Sequence, residues 1–148
     1  MSADPIPAAT VILVRDREPG GCEVLMVERA GGMAFAAGAM VFPGGRIDDA
    51  DRDFARALGT EPGLVAAVRE AIEETAIPVG LTPQPDAAMA ASLQEELLAD
   101  RPLSAALEER GLELYPDGLV PFARWVLSFV SSSATRVGVM GLRLPPCC

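Results

Sequence analysis

Three glutamates, Glu70, Glu73 and Glu74, stand at i, i+3 and i+4 in the stretch from Arg69 to Glu74, which reads REAIEE. On a helix, at about 100° per residue, all three carboxylates point from one face. Leu64, Val65, Val68, Ala71, Ile72 and Thr75 gather on the opposite side, so the segment reads as a helix with one buried stripe and one acidic stripe. Like charges at these spacings repel by roughly 0.2–0.5 kcal/mol per pair. No basic residue follows at i+4 to offset them. A divalent cation would: Mg²⁺ prefers carboxylate oxygens and water, and it bridges protein carboxylates to substrate phosphates. An ordinary solvated acidic face fits the same six residues, so what precedes them decides the reading.

Ala39, Met40, Val41 and Phe42 form an apolar run that ends in Pro43-Gly44-Gly45. Such a sequence ends a strand and lets the backbone approach a ligand closely. The composition narrows the chemistry. The chain has no His, and all 12 of its basic residues are Arg. A His general base, a His-ligated zinc, a Ser-His-Asp triad, a Schiff base and a phosphate-loop lysine are therefore excluded. Catalysis would rest on carboxylates, Arg, metal and backbone amides. With 21 Asp and Glu and a net charge of −9, the chain has no broad basic surface for nucleic acid.

The strand, the glycine turn and the Arg-Glu helix together resemble the Nudix hydrolase family, whose box reads G-x5-E-x7-R-E-U-x-E-E-x-G-U, with U a bulky apolar residue. Gly45 takes the first position, Arg69, Glu70, Glu73 and Glu74 the R-E and E-E positions, and Ile77 the last apolar one. Arg69 follows Gly45 by 24 positions where the pattern has 14, an insertion of 10. The x5-E position falls on Asp51, a shorter carboxylate, the first apolar slot holds Ala71, and the x-G position holds Ala76. The insertion resembles a subgroup with a lengthened loop between FPGG and the helix.

The resemblance implies an α/β fold, a Nudix-type α/β/α sandwich with a mixed sheet. It also implies Mg²⁺ (or Mn²⁺) held by Glu70, Glu73 and Glu74, with Arg69 orienting a box glutamate and Gly44 and Gly45 shaping the turn. The implied reaction is hydrolysis of a diphosphate that links a nucleoside to another group. Asp51 is a candidate further ligand. The general base stays open, with Glu70 the nearest candidate.

Residues 25–45 are similar to the stretch that precedes the box in coenzyme A diphosphatases, with Arg29, Ala30, Gly38 and FPGG at the matching spacing. Met26 and Val27 depart from that signature, and Ala34 stands where it has a second Arg. Arg29, Gly38, Gly44 and Gly45 are the candidate substrate-binding residues. A strand, loop and FPGG without coenzyme A specificity would read the same way.

The length predicts one domain. Residues 8–15 read as a core strand and 22–29 as its hairpin partner, across a turn at 16–21. Residues 30–38 read as a loop, 39–43 as a short strand, and the insertion as a loop. Thr60 is the expected cap of the acidic helix, with Pro62 in its first turn and Pro78 as its stop. Residues 86–99 and 102–110 read as helices closed by Gly111, and 112–115 and 119–126 as strands around Pro116-Asp117-Gly118.

Beyond Val126 the resemblance ends. Ser131, Ser132, Ser133 and Thr135 cluster, and the chain closes on Pro145-Pro146-Cys147-Cys148. The expectation is a Nudix domain over 1–126, lacking its last strands and helix, and a divergent, disordered tail over 127–148 that makes one short edge strand at most. Apolar surface left open on the sheet would favour a homodimer. The rival to an enzyme is a catalytically impaired binding or regulatory protein, or a non-functional fragment. A strand from the tail pairing with the core sheet would favour the enzyme. No apolar run approaches the ~18 residues of a membrane span. The N-terminus lacks a basic and an apolar signal region, and Cys22, Cys147 and Cys148 form no zinc or disulfide pattern, so the expected location is the cytoplasm.

Overall fold

The computed structural model of the protein describes residues 6–29, 38–127 and 135–144. Its centre is β1 (Ile6–Asp16), a β-branched and apolar strand on which Ala9, Val11 and Leu13 alternate onto one face, each exposed by 1 % or less. One edge of β1 pairs antiparallel with β2 (Cys22–Val24) and, nearer its start, with β5 (Gly44–Arg46). The other edge pairs parallel with β9 (Thr135–Leu144), which in turn pairs antiparallel with β8 (Val120–Leu127). The sheet is therefore mixed, as expected. Residues 22–29 make two strands rather than one. β2 ends at Val24, Leu25 N–H still donates to the Leu13 carbonyl, and β3 (Val27–Glu28) then pairs with β4 (Met40–Val41).

The stretch from Asp49 to Leu58, inside the expected loop, is a helix, α1. Its start is fixed by a capping box. The Asp48 carboxylate accepts from Asp51 N–H, and the Asp51 carboxylate accepts from Asp48 N–H. Its end is Gly59 at φ 66°, the left-handed stop that glycine allows. Ala55 anchors α1 in the core.

The acidic helix is α2 (Pro62–Thr75), with Pro in its first turn as expected. Its cap position is Glu61, not Thr60, and no side chain bonds the helix start there; glutamate is not among the short side chains that reach back to the N2 or N3 N–H, and Pro62 at the first helical position leaves one orphan donor fewer. The helix ends at Ala76, two residues before Pro78, in the left-handed conformation at φ 54°. A short strand, β6 (Leu81–Thr82), follows and pairs with β7 (Glu113–Leu114). Between them stand α3 (Ala87–Leu98) and α4 (Leu103–Arg110), close to expectation. Arg110 ties the two together, reaching the Glu96 carboxylate and the Ser92 hydroxyl. Val65, Val68 and Ile72 of α2 meet Val11 and Leu13 of β1, Leu93 and Leu97 of α3, and Leu103 and Leu107 of α4 in one core.

The C-terminal segment needs a correction. Instead of at most a short edge strand, it supplies the ten residues of β9, paired on both sides between β1 and β8. The two prolines that argue against a central strand lie after Leu144, where the strand has ended. Thr135, Val137 and Val139 give the strand enough β-branched residues to propagate. The serine cluster at 131–133 and the closing Pro-Pro-Cys-Cys lie outside the described residues, as do Ala30 and Ala34. No helix follows β8 among the described residues.

Ala76 carries its own expectation. The family pattern has glycine there, and the observed φ of 54° gives the reason. A left-handed alanine costs about 1–2 kcal/mol, against roughly 0.5–1 kcal/mol that glycine loses through unfolded-chain entropy. Ala76→Gly should therefore raise the free energy of unfolding by about 0.5–1 kcal/mol. Urea denaturation checks this, and a lower midpoint for the variant would contradict it.

Candidate active site

α2 is not a half-solvated helix. Leu64, Val65, Ala66, Ala67 and Val68 are all buried, so its first turns pack on every side. The acidic face that follows is itself largely covered: Glu70 is 8 % exposed and Glu73 is half-buried, while Glu74 is exposed. A carboxylate that close to fully buried is uncommon unless something compensates it.

Arg69 compensates it. Its Nε donates to Asp51 Oδ1 at 3.0 Å and its Nη2 to Asp51 Oδ2 at 2.9 Å, a two-pronged grip on a carboxylate that is 2 % exposed. Nη2 also donates to the Arg46 carbonyl at 2.9 Å. Nη1 donates to Glu70 Oε1 at 2.9 Å and to the two oxygens of Glu73 at 3.2 and 3.1 Å. The sequence reading that nothing basic offsets the acidic face is thus corrected. Arg69 precedes Glu73 by four residues and reaches it from the turn before.

The electrostatics follow from burial. Desolvation pushes the Asp51, Glu70 and Glu73 carboxyls above their ordinary values, against the opposite pull of the Arg69 hydrogen bonds and charge. Desolvation also raises Glu74, against the pull of the Gly44 N–H, with the neighbouring Glu73 charge raising it further. Burial works against the Arg69 charge too, but Asp51, Glu70 and Glu73 outweigh it and hold the guanidinium well above its usual value. One Arg thus leaves a surplus of negative charge on this face.

The two glycines of FPGG are required by close approach. A Cβ on Gly44 would stand 2.5 Å from the Ala9 carbonyl oxygen and 2.8 Å from Thr10 Cα. A Cβ on Gly45 would overlap the Glu70 carboxylate, with Cδ at 2.7 Å. Pairing of β5 with β1 presses the backbone onto Ala9 and Thr10 on one side and onto Glu70 of α2 on the other. Gly44 N–H also donates to Glu74 Oε2 at 3.3 Å. Gly45→Ala should cost about 1–3 kcal/mol, the scale of overpacking. Gly44→Ala should cost more, because its obstacle is backbone rather than the end of a side chain. Chemical denaturation of both variants checks the order, and a wild-type midpoint for Gly44→Ala would contradict the packing.

The structure brings Glu70, Glu73, Glu74, Arg69, Gly44 and Gly45 into one region. Asp51 joins them as the partner of Arg69 rather than as a free ligand. Arg29 lies near enough for its charge to lower the Glu74 carboxyl, at the base of the β3–β4 hairpin, where Gly38 N–H donates to the Arg29 carbonyl at 3.0 Å. Gly38 has φ 75°, a turn conformation that glycine adopts without cost. Asp48 was missed by the sequence reading. The signal for it was the Asp48-x-x-Asp51 spacing, a capping box at the start of the insertion.

For a divalent cation the donors fit in kind: Glu70, Glu73 and Glu74 offer hard carboxylate oxygens within one helical turn, with charge to spare. As found, they do not converge, and no three His, Cys, Asp or Glu side chains among the described residues form a ready cation group. Glu70 and Glu73 turn to Arg69 instead, and Glu74 to the Gly44 N–H. A cavity of about 370 Å³ opens between α1, α2 and the α3–α4 turn. Its wall includes Arg69 and Glu73 but none of Glu70, Glu74, Gly44 and Gly45, so it lies beside the Arg69 cluster and not over the glycine turn.

Comparison with known proteins identifies relatives of the chain. The uncharacterized Nudix hydrolase NudL of Cronobacter sakazakii is 41 % identical over 71 residues, which are 48 % of this chain and 31 % of that protein. The chain therefore matches less than a third of the length of that relative. The crystal structure of a Nudix hydrolase from Alicyclobacillus acidocaldarius superposes with a TM-score of 0.80 at 26 % identity, covering 100 % of this chain and 73 % of that one. Residues 4–97, which hold FPGG, the insertion and the whole of α2, match the family model described as the NUDIX domain, and the chain belongs to the Nudix family.

Proposed function

We propose that the protein is a Mg²⁺-dependent hydrolase of a diphosphate bond joining a nucleoside to another group. The observation that carries this reading is the burial of Glu70 against Gly45 with Arg69 gripping Asp51, Glu70 and Glu73. Two carboxylates of one helix face, Glu70 and Glu73, are held at a cost in desolvation that a merely solvated face would not carry. The pairing of β9 with β1 supports an enzyme over an incomplete binding module, because the sheet behind the site is built on both edges of β1.

In this reading Glu70, Glu73 and Glu74 hold Mg²⁺, or Mn²⁺ in its place. When bound, the ion would neutralise phosphate charge and supply an activated water. Arg69 orients Glu70 and Glu73 by charge-assisted hydrogen bonds. Gly45 leaves room for the Glu70 carboxylate. Arg29, beside Glu74, offers a positive charge to a substrate phosphate.

Coenzyme A is the proposed substrate, on the spacing of Arg29, Gly38 and FPGG. The test is chromatography of products from coenzyme A, ADP-ribose and NADH, each with Mg²⁺ and with chelator. The reading expects 3′,5′-ADP and 4′-phosphopantetheine from coenzyme A, formed faster than products from the other two. Faster cleavage of ADP-ribose or NADH would remove coenzyme A while keeping the reaction class. Cleavage of none would remove the class.

A further inference from the structure

The insertion between FPGG and α2 starts with a device whose position exceeds what a helix cap requires. The Asp48 carboxylate accepts from Asp51 N–H at 2.9 Å, and the Asp51 carboxylate accepts from Asp48 N–H at 3.1 Å. Those two bonds complete a capping box, which satisfies two orphan donors at the start of α1. Here the second member of the box, Asp51, is 2 % exposed and at the same time receives Arg69 Nε and Nη2. Its two oxygens therefore serve three donors from two elements. Arg69 in turn fixes Glu70 and Glu73.

We infer that Asp48 is a positioning residue of the active site: by capping α1 it fixes the Asp51 carboxylate that holds Arg69, and through Arg69 it sets Glu70 and Glu73. The inference rests on the proposed function, since it gives the insertion a task in the same site. The chain of contacts is short and each link is directional. Asp48 fixes the first turn of α1, the first turn fixes the rotamer of Asp51, and the two-pronged bond fixes the plane of the guanidinium. Asp48 also has a direct ion-pair distance to Arg69, 3.7 Å from Oδ2 to Nε, but its side chain is 54 % exposed, so that contact is screened. The capping bond is the link that matters, and it does not need a charge. Serine at an N-cap position accepts the same backbone N–H.

The test uses the full chain with Asp48→Ala and Asp48→Ser. Mn²⁺ affinity is measured by the free-ion paramagnetic resonance signal, kcat and KM with the best substrate of the panel, and melting temperature alongside. Asp48→Ala is expected to weaken Mn²⁺ binding or lower kcat by about ten- to a hundredfold, the usual effect of removing a group that orients a ligand, with KM changed far less. Asp48→Ser is expected to recover both to within a fewfold of the wild type. An alanine variant with a lower melting temperature but unchanged Mn²⁺ affinity and kcat, assayed well below that temperature, would make Asp48 a stabilising cap and overturn the inference. Failure of serine to rescue would overturn it as well, by making the charge the operative feature. A wild type that binds Mn²⁺ but cleaves no substrate would sink the hydrolase reading, and the Mn²⁺ affinities of the two variants would still decide the role of Asp48.

Discussion

Glu74→Gln is expected to lower Mg²⁺-dependent kcat/KM by about 10³-fold, roughly 4 kcal/mol, while leaving the fold intact. The size follows from removing one charged oxygen donor from a cation that must balance phosphate charge. The intact fold follows from the surroundings. Glu74 is exposed, it stands outside the Arg69 cluster, and its bond from Gly44 N–H is a long 3.3 Å that a glutamine oxygen can also accept. Steady-state kinetics with saturating Mg²⁺ and a melting curve check both halves. A variant with wild-type turnover would remove Glu74 from the ligands, and an unfolded one would contradict its placement on the surface.

Arg69→Met is expected to cost about 3–5 kcal/mol of stability, the scale of breaking a buried ion pair by removing one partner. The methionine replaces the packed stem of the side chain, so the loss is that of the guanidinium. Without it Asp51, 2 % exposed, keeps only the Asp48 N–H, and Glu70 and Glu73 lose the charge that offsets their desolvation. Arg69→Lys should recover little, because a lysine cannot make the two-pronged bond to Asp51 while reaching Glu70 and Glu73. Urea unfolding of the two variants gives the answer. A loss below about 1 kcal/mol for Arg69→Met would show that Asp51 does not depend on Arg69.

The parts of the site carried by local spacing were legible in the sequence. The acidic face needs only the helical period and FPGG only the close backbone approach that a residue without a side chain permits, so Glu70, Glu73, Glu74, Gly44 and Gly45 could be named without a structure. α3 and α4 were legible for the same reason, their ends being marked by Pro102 and Gly111. What the sequence did not show depends on distant contacts. The burial of Glu70 arises because β5 is pressed between β1 and α2, and no local pattern encodes that. The insertion separates Asp51 from Arg69 by 18 residues in the chain, and α1 folds back so that the two meet. The charge offset was overlooked because the partner of Glu73 precedes it in the chain. β9 was misjudged because a strand paired on both sides draws on two neighbours whose identity the segment does not carry.

The central claim is that this carboxylate face activates water against a diphosphate only with a divalent cation. The most direct measurement is the ³¹P spectrum of coenzyme A incubated with the protein in ¹⁸O-enriched water, with Mg²⁺ and with chelator. The account predicts that the two diphosphate resonances give way to two monophosphate resonances, one shifted by ¹⁸O, in the Mg²⁺ sample alone. Unchanged resonances with Mg²⁺ and with Mn²⁺ for coenzyme A, ADP-ribose and NADH, or equal cleavage in chelator, would contradict it.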